Sequence, residues 1–143
     1  MEIRTPQNEV EWNAYYDLRF RVLREPWQQA RGSERSEADS FEIHLACFEE
    51  NTILGVVRLD VLASDDFAQV RFMAVEANQQ GKGTGKLLMH AAESYAKSLG
   101  FQKIMLQARE MAIPFYEKLG YKIIEKSHLL FGEIQHWRME KVL

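Results

Sequence analysis

Residues 79–88 read QQGKGTGKLL, with glycine at 81, 83 and 85, lysine at 82 and 86, and an apolar stripe that begins at Leu87. Glycines on alternate positions let the backbone turn left-handed and leave its amides uncovered. Beyond them Leu87, Leu88, Ala91, Ala92, Tyr95, Ala96 and Leu99 fall on one face of a helix over Thr84 to Leu99, with Gly100 as its stop. Bare amides at the head of a helix make a cradle for an anion, because the unpaired N–H groups and the positive end of the helix dipole point the same way. Two common cradles do not fit. A P-loop needs glycine five residues before the Gly-Lys pair and Ser or Thr after it, where this chain has Gln80 and Leu87. A dinucleotide fingerprint G-x-G-x-x-G would put its third glycine on Lys86 or Leu88.

The rest of the chain reads as one mixed α/β unit with no repeat, low-complexity tract or linker. Glu2 to Thr5 is a short strand ended by Pro6. Trp12, Tyr15, Tyr16, the stem of Arg19, Val22 and Leu23 give a helix over Glu9 to Arg24, closed by Pro26. Residues 27–40 are polar and read as loop. Phe41 to Phe48 and Ile53 to Leu62 alternate about the turn EENT as a hairpin, and Gln69 to Val75 is a third strand. After the long helix come a buried strand at Lys103 to Ala108, a short helix at Met111 to Leu119 ended by Gly120, and strands at Tyr121 to Lys126 and Ile134 to Val142, with Ser127 to Glu133 between them as an irregular loop. The strand, helix and strand around the glycines imply a parallel pair joined by a right-handed crossover.

Length and charge narrow the function. The 143 residues suffice for a single core and therefore for one site, a domain spanning 1–143. A formal charge of −3 is unsuited to a general nucleic-acid binder, so the lysines of the glycine stretch are local and suit a small anionic ligand. No segment approaches the roughly 18 apolar residues of a membrane span, and the N-terminus lacks a signal-peptide pattern. The one cysteine, Cys47, forms no internal disulfide, which makes the cytoplasm the expected compartment.

Gln80-x-x-Gly83-x-Gly85, placed after a strand ending in Met73, Ala74 and Val75, resembles the cofactor loop of the GNAT superfamily of acyl-CoA-dependent N-acetyltransferases. The segment Ala112 to Ile124, AIPFYEKLGYKII, is similar to the family's later helix-and-strand signature, with its tyrosine at Tyr116. Either motif alone is weak, and together they are strong. The resemblance implies the GNAT fold: a mixed, mostly antiparallel sheet splayed at its middle parallel pair, with helices on both faces. It implies acetyl-CoA as co-substrate and no metal. The amides of Gln80, Gly81, Lys82, Gly83, Thr84, Gly85 and Lys86 would hold the diphosphate, and Lys82 and Lys86 would add charge. The main chain of Met73, Ala74 and Val75 would receive the pantetheine arm where the parallel strands part.

Transfer to an amine needs an uncharged nitrogen, donors for a developing oxyanion and a proton for the departing thiolate. By resemblance the oxyanion donor is the Val75 amide and the proton donor is Tyr116. The base stays open among His44, His136 and Glu76. Arg109 stands where some relatives carry an asparagine and, with Tyr116, is counted by resemblance among the cofactor-binding residues, while Gln135 replaces a proline in the tail FGEIQHW. Acidic Glu34, Glu37, Asp39 and Glu133 hint at a cationic acceptor, a small molecule or peptide amine. Family members often dimerise, and Trp137 on the last strand would allow it if exposed, the alternative being a core position. The competing functions are a CoA-ester-binding module without turnover and an acyltransferase for longer chains or hydroxyl acceptors.

Overall fold

The computed structural model describes residues 1–143. Seven strands form one sheet in the order β1-β2-β3-β4-β5-β7-β6. They are β1 (Glu2–Arg4), β2 (Ile43–Glu49), β3 (Thr52–Asp60), β4 (Ala68–Val75), β5 (Lys103–Arg109), β6 (Lys122–Leu130) and β7 (Ile134–Val142), with helices α1 (Glu9–Leu23), α2 (Thr84–Ser98) and α3 (Ile113–Lys118) between them. Every pairing is antiparallel except β4 with β5. No helix is long and apolar enough to cross a membrane.

Local chemistry sets the helix ends. Asn8 caps α1 by accepting from the Glu11 amide at 2.9 Å, with Glu9 and Glu11 in the first turn beside the positive end of the dipole. α2 and α3 stop on Gly100 and Gly120, at φ +94° and +98°, where the next residue's amide bonds back to Ala96 or Tyr116 at 3.1 Å.

Alternation along the strands divides the core in two. Leu45, Cys47, Val57, Leu59, Ala68 and Val70 pack against Leu88, Met89 and Ala92 of α2. Ala46, Phe48, Val56 and Ala74 pack against Tyr15, Leu18 and Leu23 of α1 on the opposite face. β4 changes allegiance midway, since Val70 faces α2 while Ala74 faces α1, although both numbers are even. The cause is a bulge: Val56 pairs with Ala74 and Arg58 with Arg71, so Phe72 and Met73 oppose the single residue Val57. Phe72 takes φ +55°, uncommon for a bulky residue. Its ring lies 4.3 and 4.9 Å from the guanidinium carbons of Arg19 and Arg58, which are both fully buried.

Those two arginines also organise the polar stretch before β2. Arg19 Nη1 donates to both Asp39 carboxylate oxygens at 3.1 and 3.0 Å, and Arg58 Nη1 donates to Asp39 Oδ1 at 2.9 Å. Arg58 also holds Asp60 through two bonds of 2.6 and 2.9 Å. Asp39 sits on a 3-10 turn, Glu37–Ser40, whose start is closed by reciprocal bonds with Ser36.

Three expectations need correction. β2 begins at Ile43, because Phe41 lies in the preceding turn and is 59% exposed. The stretch Ser127 to Glu133 is not an irregular loop: β6 runs on to Leu130, and Phe131 and Gly132, both left-handed, close a tight hairpin to β7. Of the two readings of Trp137 the exposed one fails, since β7 lies between β5 and β6 and the Trp137 indole nitrogen is buried without a partner.

Candidate active site

The bulge and the parallel pair together open the sheet. β4 and β5 are paired only from Ala68 with Ile104 to Val70 with Leu106, and beyond that point they diverge around a cleft of about 730 Å³. The cleft passes from one face of the sheet to the other. Gly81, Gly83, Lys86 and Tyr116 line it on the side of α2 and α3, while Leu23 and Arg24 line it at the end of α1.

The three glycines of the loop serve two purposes. Gly81 and Gly83 have φ of +79° and +89°, a conformation other residues rarely adopt. At Gly85 a Cβ would stand 3.1 Å from the Phe115 ring, so this glycine lets α2 seat against α3. Gly55 on β3 does the same from below, where a Cβ would lie 2.8 Å from Leu88 and 3.1 Å from Thr84. The loop amides remain largely uncommitted: Lys82 N–H donates to the Gln79 carbonyl at 3.2 Å and Gln80 N–H reaches Ala77 at 3.5 Å, but those of Gly81, Gly83, Thr84, Gly85 and Lys86 have no carbonyl acceptor. Thr84 Oγ1 is buried beside them, also without a partner. Lys86 lines the cleft and Lys82 does not.

Main-chain groups of β4 face the gap. Glu76 N–H donates to the Leu54 carbonyl on β3 at 2.9 Å, so alternation turns Ala74 toward β3 as well and leaves the amides of Met73 and Val75 directed at the cleft. The fit for a coenzyme is therefore good: free amides at a helix head for a diphosphate, and an unpaired strand edge for a peptide-like arm.

Tyr116, on α3, is buried against Phe115 and Tyr121, with ring centroids 4.9 and 5.8 Å away. Its hydroxyl has no protein partner, and burial raises its pKa above the ordinary phenol value despite the nearby Arg109 charge. His136 reaches the cleft from β7. Its Nδ1 bonds the Ile134 carbonyl at 3.0 Å, which makes Nδ1 the protonated nitrogen and leaves a lone pair on Nε2. The β6 bulge between Lys126 and Leu129 brings His128 against it, with rings stacked 4.3 Å apart. Burial lowers the His136 pKa below its ordinary value, and the charges of His128, Arg109 and Arg24 act in the same direction.

The other two base candidates lie elsewhere. His44 does not line the cleft. It accepts from the Tyr15 hydroxyl on Nδ1 at 2.8 Å and donates from Nε2 to the Asp39 carbonyl at 2.7 Å, so neither nitrogen is free, and burial lowers its pKa. Glu76 is outside the cleft too, paired at 2.8 Å with Arg21 on α1.

Arg109 sits opposite His136 in the β5/β7 ladder and so shares its face. Its Nη2 donates to the Leu23 carbonyl at 3.2 Å and its guanidinium lies 4.4 Å from the Trp27 ring, on the α1 side rather than at the glycine loop. Burial, reinforced by Arg24, pushes its pKa down to about 10. Neither Arg24, Arg71 nor His128 is marked by any sequence motif, although all three line the cleft. The acidic residues expected to meet a cationic acceptor are not there. Glu34 is turned to the Gly32 amide at 2.7 Å, Asp39 is spent on the two buried arginines, and Glu37 and Glu133 lie outside the cleft.

Comparison with known proteins agrees with this geometry. The chain is 24% identical over 135 residues to the uncharacterized N-acetyltransferase YjcF of Bacillus subtilis, covering 94% of this chain and 95% of that one. Its fold superposes on an aminoglycoside 6'-N-acetyltransferase complexed with coenzyme A at a TM-score of 0.83, with 20% identity and coverage of 99% and 97%. It superposes on the PaiA N-acetyltransferase of Thermoplasma acidophilum, also in complex with coenzyme A, at 0.75, with 17% identity and all of both chains covered. The model of the acetyltransferase (GNAT) family matches residues 12–121, and with the splayed β4/β5 pair and the open glycine cradle in place, the chain belongs to that family.

Proposed function

We propose that this protein transfers an acetyl group from acetyl-CoA to a primary amine by direct attack on the thioester. The observation that carries this reading is the set of unpaired amides of Gly81, Gly83, Thr84, Gly85 and Lys86 at one mouth of a cleft that holds Tyr116 and His136 along its course. Those amides bind the diphosphate, with Lys86 adding charge, and the Met73 and Val75 main chain pairs with the pantetheine arm. The Val75 amide donates to the carbonyl oxygen as negative charge develops on it. His136 Nε2 takes the proton that the amine sheds as its nitrogen bonds to the acetyl carbon. As the carbon–sulfur bond breaks, Tyr116 gives its proton to the sulfur: burial keeps the phenol protonated at neutral pH, so the proton is in place when negative charge develops on the departing thiolate. The two proton carriers approach from opposite faces of the sheet, so acceptor and donor have separate entrances.

Thermal shift with acetyl-CoA, CoA and ATP tests the binding half. A ligand at a hundred times its dissociation constant stabilises the fold by about 2.7 kcal/mol, so both coenzyme species are expected to raise the melting temperature and ATP to leave it nearly unchanged. Thiol release against a panel of amines tests the chemistry. Binding of coenzyme without thiol release from any amine would instead identify a non-catalytic module.

A further inference from the structure

The cleft is charged with one sign. No Asp or Glu lines it, although the whole chain carries a formal charge of −3; its ionisable lining is arginine, lysine, histidine and Tyr116. At the α1 mouth Arg24 Nη1 and Arg109 Nη2 converge on a single acceptor, the Leu23 carbonyl, at 3.0 and 3.2 Å. Neither has a carboxylate partner, whereas every other arginine in the chain lies within 4.0 Å of one. Glu34, whose charge reaches Arg24, is already bonded to the Gly32 amide at 2.7 Å and lies 3.4 Å from Arg35. Trp27 backs the Arg109 guanidinium at 4.4 Å, which fixes the orientation of its plane. Two half-buried like charges sharing one carbonyl repel each other, and an anion placed between them relieves that repulsion.

We infer that Arg24 and Arg109 hold an oxyanion on the acceptor, so that the amine acetylated here belongs to a small molecule that also carries a carboxylate or a phosphate. This substrate class rests on the acetyl-transfer reading above. The coenzyme's own phosphates do not account for the pair, because their cradle opens on the α2 side. Guanidinium forks match both carboxylate and phosphate. With the anion anchored beside Trp27, the amine is brought toward His136, which shares the Arg109 face. The surrounding positive charge also favours the uncharged amine, the form that attacks.

Calorimetry on the CoA-saturated protein, with no turnover required, tests this with matched pairs: the common amino acids against their amides, phosphoethanolamine and amino-sugar phosphates against their dephosphorylated parents, and spermidine as a polycation. The best ligand is expected to be an anionic member that binds about 30-fold or more tightly than its uncharged partner, and whichever arm contains it identifies the oxyanion. Arg24→Gln and Arg109→Gln are each expected to lose about 10- to 100-fold of that affinity while CoA binding is retained. Equal or tighter binding of uncharged or polycationic amines, no binding by any anionic amine, or a preference that survives both substitutions would overturn the inference. The two readings separate cleanly. Anion-selective binding without thiol release sinks acetyl transfer and keeps the anion site, whereas efficient acetylation of spermidine does the reverse.

Discussion

Replacing Tyr116 by Phe isolates one hydroxyl from everything else the residue does. The ring is wedged between Phe115 and Tyr121 at 4.9 and 5.8 Å, so truncation to Ala would open the core and cost about 3–5 kcal/mol, confusing a catalytic loss with a folding one. Phe keeps that packing. The hydroxyl donates to no protein atom, so stability is expected to stay within about 0.5 kcal/mol of wild type. Coenzyme affinity is expected to stay as well, since the cradle amides lie on another element. What is lost is the proton for the departing sulfur. General acid catalysis contributes about 10²–10⁴-fold, and because burial makes this phenol a weaker acid than usual, the lower end applies. A hundredfold fall in kcat corresponds to about 2.7 kcal/mol of barrier. The assay is thiol release at saturating acetyl-CoA, with the melting temperature and coenzyme affinity measured on the same preparation. A kcat within threefold of wild type would refute the proton-donor role, and so would a loss explained by a lower melting temperature.

Because His136 must be neutral to accept a proton and its pKa is lowered, activity is expected to fall only as pH drops through a value below 6.5, and His136→Gln is expected to abolish that acid limb; an unchanged profile in the variant rules His136 out as the base. His44 also has a lowered folded pKa, so the unfolded chain binds more protons as pH falls below about 6.5: stability is full above that value and declines beneath it, and His44→Gln is expected to flatten the melting temperature against pH there. Asp39→Asn removes the carboxylate shared by two fully buried arginines, which is expected to cost about 3–5 kcal/mol in urea unfolding; a change under about 1 kcal/mol would mean the pair is solvated. Gly83→Ala meets no atom within 4 Å but must hold φ near +89°, at a cost of about 1–2 kcal/mol, so a lower melting temperature and a smaller coenzyme-induced shift are expected together.

The parts of the site that could be read in advance were local ones. The glycine spacing, the helix behind it and the Tyr116 segment are contiguous in sequence, and their backbone demands and apolar periods show in the residue types. What escaped reading depends on distant partners. Phe72 has no intrinsic reason to be left-handed and is held there by Arg19 and Arg58 from two other elements. The Arg24 and Arg109 pair joins residues far apart in the chain through one carbonyl, and a basic residue ending a helix looks like an ordinary partner for its dipole. His44 and His136 look alike as strand histidines; hydrogen bonding on both nitrogens of one and on a single nitrogen of the other separates them. The apparent loop before Glu133 became a hairpin because a bulge and two left-handed residues, neither obvious from composition, shortened the turn.

The Phe72 bulge makes the site a matter of counting. Odd and even positions of a strand point to opposite sides, and the extra residue between Arg71 and Ala74 resets that tally once, where the cleft begins. Removing one residue there would swap inside for outside at every position up to Val75, turning the amides that face the gap back into the sheet even if each neighbouring residue kept its identity. Descendants of this chain can therefore lengthen the turn after β3 or recolour its surface freely, whereas the number of residues in β4 is fixed by inheritance as firmly as any side chain.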